Sequence, residues 1–239
     1  MRFHIITIFP NIFDSYIHES ILGRAIEKKL VKVSFYNPRD FLPKTDNSYR
    51  PVDDRPYGGG PGMVMRPEPI IKAVEKAVAA AARFSSGPRI SSSKASARPS
   101  GKLPGGLLII NFIPSAEKFT TGEAKKISKK YTDVILICGR YEGIDARVDK
   151  ILKTKKFSIG DYVLTGGEIP AMVLIDCIAR QIPGVLGKFE SLEEERVSSS
   201  EVYTRPEVLK YKNKNYKVPK VLLSGNHKLI EEWKSKNKI

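Results

Sequence analysis

Residues 107–113 read Leu-Leu-Ile-Ile-Asn-Phe-Ile and residues 134–138 read Val-Ile-Leu-Ile-Cys. Both are continuous apolar runs of strand length with no alternating polar face, the pattern of strands covered by helices on both sides of a sheet. Between them, Glu117 to Tyr131 is rich in Lys and helical in spacing, so the unit reads strand, helix, strand. The order recurs at the N-terminus. Arg2 to Phe9 is a short apolar run, Val31 to Tyr36 alternates apolar with polar, and Ile12 to Glu27 between them is helix-like. Alternation of this kind predicts an α/β fold on a parallel sheet.

Further along, Pro51 to Met65 is dense in Gly and Pro and reads as a loop. Ile70, Ile71, Val74, Ala77 and Val78 follow at helical spacing behind Pro67 and Pro69, a helix with proline at its entry. Residues 83–106 change to Ser, Gly, Ala, Pro, Arg and Lys with no acidic residue, and read as a basic low-complexity insertion. Ile169 to Ile182 is another apolar helical stretch, after which Pro183-Gly184 and the charged run Lys188 to Arg196 mark a linker. The expected organisation is a domain over 1–187, a linker over 188–197 and a small, basic, mainly helical domain over 198–239. That last segment carries Tyr203, Tyr211, Tyr216 and Trp233 among its lysines, a composition suited to phosphate contact and base stacking.

The charge balance sets the class of partner. With 41 Lys and Arg against 26 Asp and Glu, the formal charge of +15 attracts polyanions, nucleic acid first among them, although a basic surface also serves solubility. No apolar run approaches the roughly 20 residues that cross a bilayer, and the N-terminal run is broken by Pro10, Asn11 and Asp14 before any cleavage site. No membrane partner is expected. Two cysteines, Cys138 and Cys177, each in an apolar segment, read as buried thiols in a reducing cytoplasm. Neither a dinucleotide fingerprint nor a phosphate-binding P-loop occurs, and the three histidines have no zinc spacing. No metal ligand set is read from the residues.

Three glycine-rich segments remain: 53–62 (Asp-Asp-Arg-Pro-Tyr-Gly-Gly-Gly-Pro-Gly), 139–145 (Gly-Arg-Tyr-Glu-Gly-Ile-Asp) and 158–168 (Ser-Ile-Gly-Asp-Tyr-Val-Leu-Thr-Gly-Gly-Glu). Each follows or joins a predicted sheet element, the place where open α/β sheets bind ligands. Glycine allows close backbone approach and positive φ. Singly, such loops are more often tight turns.

Taken with Phe9-Pro10, Arg39-Asp40-Phe41, Ile182 to Gly187, 203–207 (Tyr-Thr-Arg-Pro-Glu) and Val221 to His227, these segments resemble the signature set of bacterial tRNA (guanine-N1)-methyltransferases of the SPOUT superfamily. The resemblance runs end to end apart from the insertion and a short basic tail. It implies a SPOUT-type sheet with a C-terminal trefoil knot in the N-terminal domain. It also implies S-adenosylmethionine as methyl donor, tRNA as substrate, and a homodimer with active sites at the interface.

Residue by residue, the resemblance puts the methyl donor against Pro114, against Gly139, Tyr141 and Glu142, and against Ile159, Gly160, Asp161, Tyr162, Val163, Leu164, Gly166 and Gly167. Asp53, Arg55, Tyr57 and Gly59 fall near the tRNA. Arg180 is in register with the catalytic arginine that stabilises charge on the guanine oxygen, and Glu142 is a plausible carboxylate for a magnesium ion. The chain departs from the family twice. The strand-ending segment reads Asn111-Phe112-Ile113-Pro114-Ser115-Ala116, keeping the proline without the usual Ser before it and Gly after it. The general base, an aspartate in the family, falls on Glu195, with Glu193 and Glu194 as alternatives beside it. Two other readings stay open: a knotted RNA-binding protein without catalysis, and a SPOUT enzyme acting at another RNA position.

Overall fold

In the computed structural model, which describes residues 1–43, 50–85, 106–186 and 201–236, the two apolar runs lie side by side. The strands are β1 (Arg2–Ile6), β2 (Lys32–Tyr36), β3 (Asp53–Asp54), β4 (Val64–Met65), β5 (Leu107–Phe112), β6 (Asp133–Ile137), β7 (Lys155–Phe157), β8 (Val208–Tyr211) and β9 (Lys214–Lys217). The helices are α1 (Asp14–Ile17), α2 (Ser20–Glu27), α3 (Pro67–Ser85), α4 (Thr121–Lys130), α5 (Arg147–Leu152), α6 (Glu168–Ala179), α7 (Lys220–Leu223) and α8 (His227–Lys236). Five strands form one sheet in the order β2, β1, β6, β5, β7, and every pair is parallel.

A parallel sheet needs crossovers, and these cover both of its faces. Phe3 and Ile5 of β1 share one face with Leu108, Ile110, Val134 and Leu136, packed under α1, α2, α4 and α6 through residues such as Leu22, Ile127 and Leu174. Ile6, Leu107, Ile109, Ile135 and Ile137 point to the other face, against Ile70, Val74 and Ala77 of α3 and Val148 of α5. Each aliphatic side chain buried this way contributes about 1.5–3 kcal/mol before entropy is counted.

One of the few buried polar side chains among the described residues is His4, on β1. Its Nε2 lies 3.1 Å from Asp133 Oδ1 and its Nδ1 lies 3.1 Å from the Tyr36 hydroxyl. Arg2 donates to both oxygens of Asp133 at 2.6 Å, and the Thr132 hydroxyl donates to Oδ2 at 2.7 Å. Asp133 is therefore a buried carboxylate with every lone pair in use, tying the start of β1 to the start of β6 and, through His4, reaching Tyr36 at the end of β2.

Several boundaries differ from the sequence reading. The segment 12–27 is not one helix: a 3-10 turn (Pro10–Phe13), α1 and α2 follow one another, with Ser20 at φ 52° and a Cβ on Gly23 falling 2.5 Å from the His18 carbonyl oxygen. The helix expected from Glu117 starts at Thr121, where the Thr120 side chain accepts from the Glu123 N–H. α5 and β7 have no counterpart in the sequence reading, since three strand residues with two exposed lysines carry no apolar signal; lysine suits a sheet edge, which it protects from pairing. α3 continues to Ser85, three residues into the expected insertion, and Gly106 closes onto Thr132, whose N–H donates to the Gly106 carbonyl. Residues 86–105 lie outside the described residues.

Two compact units emerge, Met1–Val185 and Leu186–Ile239. The linker expected over 188–197 lies outside the described residues. The second unit, expected to be mainly helical, holds α7 and α8 and also an antiparallel hairpin, β8 with β9. Its two-residue turn uses Lys212 at φ 51° in place of the Asn-Gly that would have announced it.

The Asp133 cluster predicts an acid-sensitive fold. Burial, opposed by the Asp133 hydrogen bond, lowers the His4 pKa below 6.5. Burial opposes ionisation of Asp133, but hydrogen bonds from Arg2, His4 and Thr132 outweigh it and lower its pKa below 3.8. Both groups bind protons more readily unfolded than folded, so each contributes stability above its unfolded pKa that is lost as pH falls. Urea denaturation across pH should show stability declining below about 6.5 and again below about 4; His4→Gln should remove the first decline and keep the second.

Candidate active site

The loops that leave β5, β6 and β7 at their C-terminal ends converge on one another. The Gly167 N–H donates to the Gly139 carbonyl at 2.9 Å, and Arg140 bridges Gly166 in antiparallel register. The approach leaves no room for side chains. A Cβ on Gly167 would sit 2.6 Å from Cys138 Cα and 2.9 Å from the Gly139 nitrogen. The close contact that this glycine permits is thus to protein backbone.

A buried ion pair locks the junction. Arg140 Nε lies 2.9 Å from Glu168 Oε2, a distance for strong attraction, although the two atoms are not aligned as a hydrogen bond. Glu168 Oε1 accepts from the Thr7 hydroxyl at 2.8 Å, and the Arg140 guanidinium stacks over the Phe9 ring at 4.7 Å. The segment after β1, the β6 loop and the start of α6 are therefore held by one carboxylate. Burial, reinforced by the Glu168 charge, pushes the Cys138 thiol well above its usual pKa, so this cysteine is an inert packing group.

Between the loops lies a cavity of about 440 Å³. From the predicted donor contacts, Pro114, Gly139, Tyr141 and Glu142 line it on one side, and Ile159, Tyr162, Val163, Leu164, Gly166 and Gly167 on the other. Gly160 and Asp161 do not line it: Asp161 pairs with Lys118, and Gly160 lies against the Tyr162 ring. Tyr141 adopts φ 60°, a conformation that costs a non-glycine residue energy and recurs at functional loops.

The loop bearing Asp53, Arg55, Tyr57 and Gly59 is fastened to the cavity wall. Met65 donates its N–H to the Gly143 carbonyl at 2.9 Å, and Glu142 donates to the Met63 carbonyl at 3.0 Å. Gly62 packs so closely on Glu142 that a Cβ would fall 2.6 Å from its side chain. Beyond this seam the loop stands free: Tyr57 is 100% exposed, and Gly58, Gly59 and Gly60 have positive φ with no neighbour.

Two predicted catalytic residues are not brought to the cavity. Arg180 caps the C-terminal end of α6, and the cavity lies at the other end of this 12-residue helix. At 1.5 Å per residue the separation is roughly 18 Å. Glu195 and its neighbours Glu193 and Glu194 lie outside the described residues. Conversely, Asn111 and Asp149 line the cavity and were assigned no role from sequence. The available signal was one amide within the apolar run of β5.

Comparison with known proteins fits this arrangement. Residues 1–239 match the family described as tRNA (Guanine-1)-methyltransferase TrmD. The chain belongs to the tRNA (guanine-N1)-methyltransferase family. It is 44% identical to the tRNA (guanine-N(1)-)-methyltransferase of Clostridioides difficile, over 100% of this chain and 93% of that protein. It is likewise 44% identical to that of Dictyoglomus turgidum, over 100% of this chain and 85% of that protein. Among solved structures, the tRNA (m1G37) methyltransferase from Aquifex aeolicus superposes with a TM-score of 0.71 at 38% identity, covering 99% of this chain and 88% of that one.

For this family member the loop junction makes a sharp prediction. Gly167→Ala should lower unfolding stability by about 1–3 kcal/mol, because backbone, not a flexible side chain, blocks the new methyl group. Thermal unfolding checks it. Gly59→Ala, in the open loop, should cost less, its strain arising only from φ 78°.

Proposed function

We propose that this protein transfers a methyl group from S-adenosylmethionine to ring nitrogen 1 of the guanosine 3′ of a tRNA anticodon. The observation that carries the reading is the glycine-closed cavity at the C-terminal ends of β5, β6 and β7 in a chain of this family. Its volume, about 440 Å³, suits a nucleoside-sized ligand. Apolar Ile159 and Leu164 face a wall that also holds a buried amide oxygen without a partner, Asn111 Oδ1. That mixture of apolar surface and few polar groups fits an adenosine moiety.

When bound, the donor supplies an electrophilic methyl group on a positively charged sulfur. The protein's task is to bring guanine to it and remove a proton. In the assigned roles, the Glu195 carboxylate takes the proton from guanine nitrogen 1, whose lone pair then forms the new bond to carbon as the bond from carbon to sulfur breaks. Charge pushed onto the guanine oxygen is stabilised by the Arg180 guanidinium. Among the described residues no three His, Cys, Asp or Glu side chains come together to hold a metal, and Glu142 alone does not make such a site. No step is assigned to magnesium.

The distance from Arg180 to its own cavity supports a homodimer in which each subunit completes the other's site. α6 is apolar on nearly every side, yet Ile169 and Val173 are exposed on it, and Phe9, Ile12 and Tyr16 are exposed in the N-terminal segment. Exposed apolar surface of this kind is suited to an interface. The net charge of +15 and the exposed Tyr203, Tyr211 and Tyr216 of the second unit suit contact with tRNA. The trefoil knot is inferred from the extent of the likeness to the Aquifex aeolicus structure. No helix among the described residues is long and apolar enough to cross a membrane, and a cytoplasmic enzyme follows from its tRNA substrate.

Incubation with labelled S-adenosylmethionine and tRNA transcripts tests the reading. A transcript with guanosine after the anticodon should be methylated and one with that base changed should not; Glu195→Ala should lower the rate by about 100-fold or more. A protein that binds the donor and methylates neither transcript would instead be an RNA-binding protein, and methylation at another nucleotide would reassign the target. The shared site is tested separately by mixing Arg180→Ala with a cavity-blocked Leu164→Arg, each inactive alone. Random mixing should restore about a quarter of wild-type activity if Arg180 acts across the dimer, and none if it acts within its own subunit.

A further inference from the structure

The one polar side chain in the buried run of β5, Asn111, is held in a single orientation and left half unused. Asn111 is 4% exposed and lines the cavity. Its Nδ2 donates to Asp149 Oδ1 at 2.9 Å. A carboxylate only accepts, so this contact fixes which end of the amide is nitrogen and which is oxygen. Asp149 is itself anchored: Oδ1 also accepts from the Thr154 hydroxyl, and Oδ2 lies 3.1 Å from Lys156 Nζ. The other end of the amide, Asn111 Oδ1, is buried and has no hydrogen-bond partner among the described residues. Native structures carry few such atoms, and each asks for a partner.

We propose that Asn111 Oδ1 is a binding and specificity determinant of the donor cavity. It accepts a hydrogen bond from a neutral donor group of the bound adenosine moiety, either the exocyclic amine of adenine or a ribose hydroxyl, with Asp149 as its positioning residue. The charge balance selects a neutral donor. Lys156 already offsets the Asp149 carboxylate, both oxygens of which are engaged, so a cationic ligand group gains little at this wall. The setting also explains why an amide stands where β5 otherwise carries only aliphatic and aromatic side chains: Leu107 to Ile110 and Phe112 serve the core, and Asn111 serves the ligand. A buried acceptor built for one donor discriminates strongly, because an analogue lacking that donor leaves the oxygen unpaired in a dry wall.

The proposal rests on the reading of the cavity as the methyl donor's site, and calorimetry separates the two. The probes are S-adenosylhomocysteine, its inosine analogue, in which oxygen replaces the adenine amine, and its 2′-deoxy and 3′-deoxy analogues. The full-length wild-type protein should bind S-adenosylhomocysteine and reject one of the three analogues by roughly tenfold or more; which one identifies the donor group. Asn111→Leu, which returns β5 to an apolar run, should weaken S-adenosylhomocysteine binding roughly tenfold and bind that analogue as well as the parent compound. Asp149→Asn, which frees the amide to turn, should reduce the discrimination without abolishing binding. Wild-type affinity in Asn111→Leu, or discrimination that persists in it unchanged, would overturn the assignment and leave a buried water as the partner of Oδ1. Absence of binding by the wild type itself would overturn the cavity reading and the assignment with it.

Discussion

The close approach of Gly167 to the backbone of Cys138 and Gly139 is the constraint on which the rest of the site depends. β6 ends at Ile137, and its chain must turn within a few residues while Gly167, at the start of α6, passes so close that a Cβ on it would fall 2.6 Å from Cys138 Cα. Only glycine permits that passage. Once it is made, the Gly167 N–H reaches the Gly139 carbonyl, Arg140 reaches Glu168, and the space left between the two loops is the cavity. The glycines therefore shape the binding site indirectly: they let two loops meet, and the walls follow.

Charge then fixes what packing alone would leave loose. Arg140, Glu168 and Thr7 join three chain segments that are distant in sequence, in an environment where an unpaired partner would be costly. At the opposite end of the sheet Asp133 plays the corresponding part with Arg2, His4 and Thr132. The central strands are thus clamped at both ends by buried carboxylates, and the aliphatic layers between them need no polar group. Asn111 is the exception. Its amide oxygen is held in one orientation beside the cavity with no partner among the described residues.

Much of this was legible in the sequence. Uninterrupted apolar runs gave the central strands and their parallel order of construction, and proline at its entry gave the position of α3. The departures have physical causes. Lys155 and Lys156 hide β7 because an edge strand is written in charge. The hairpin of the second unit is hidden by a lysine at its αL turn. In the site, the motifs pointed to the loops that line the cavity, but Asn111 with Asp149 required three dimensions, since the pair spans 38 residues. The placement of Arg180 at the far end of α6 is likewise invisible to register alone, because register carries no information about how far a residue lies from the cavity.

Fold and chemistry meet in the space between the β5, β6 and β7 loops, the proposed seat of the methyl donor. The most direct measurement is a crystal structure of the protein with S-adenosylhomocysteine. One ligand per chain is expected in that space, its adenosine between the Gly139 to Glu142 and Ile159 to Gly167 segments, with Asn111 Oδ1 at hydrogen-bond distance. A ligand bound elsewhere, with these loops unchanged and the cavity filled only by water, would contradict it.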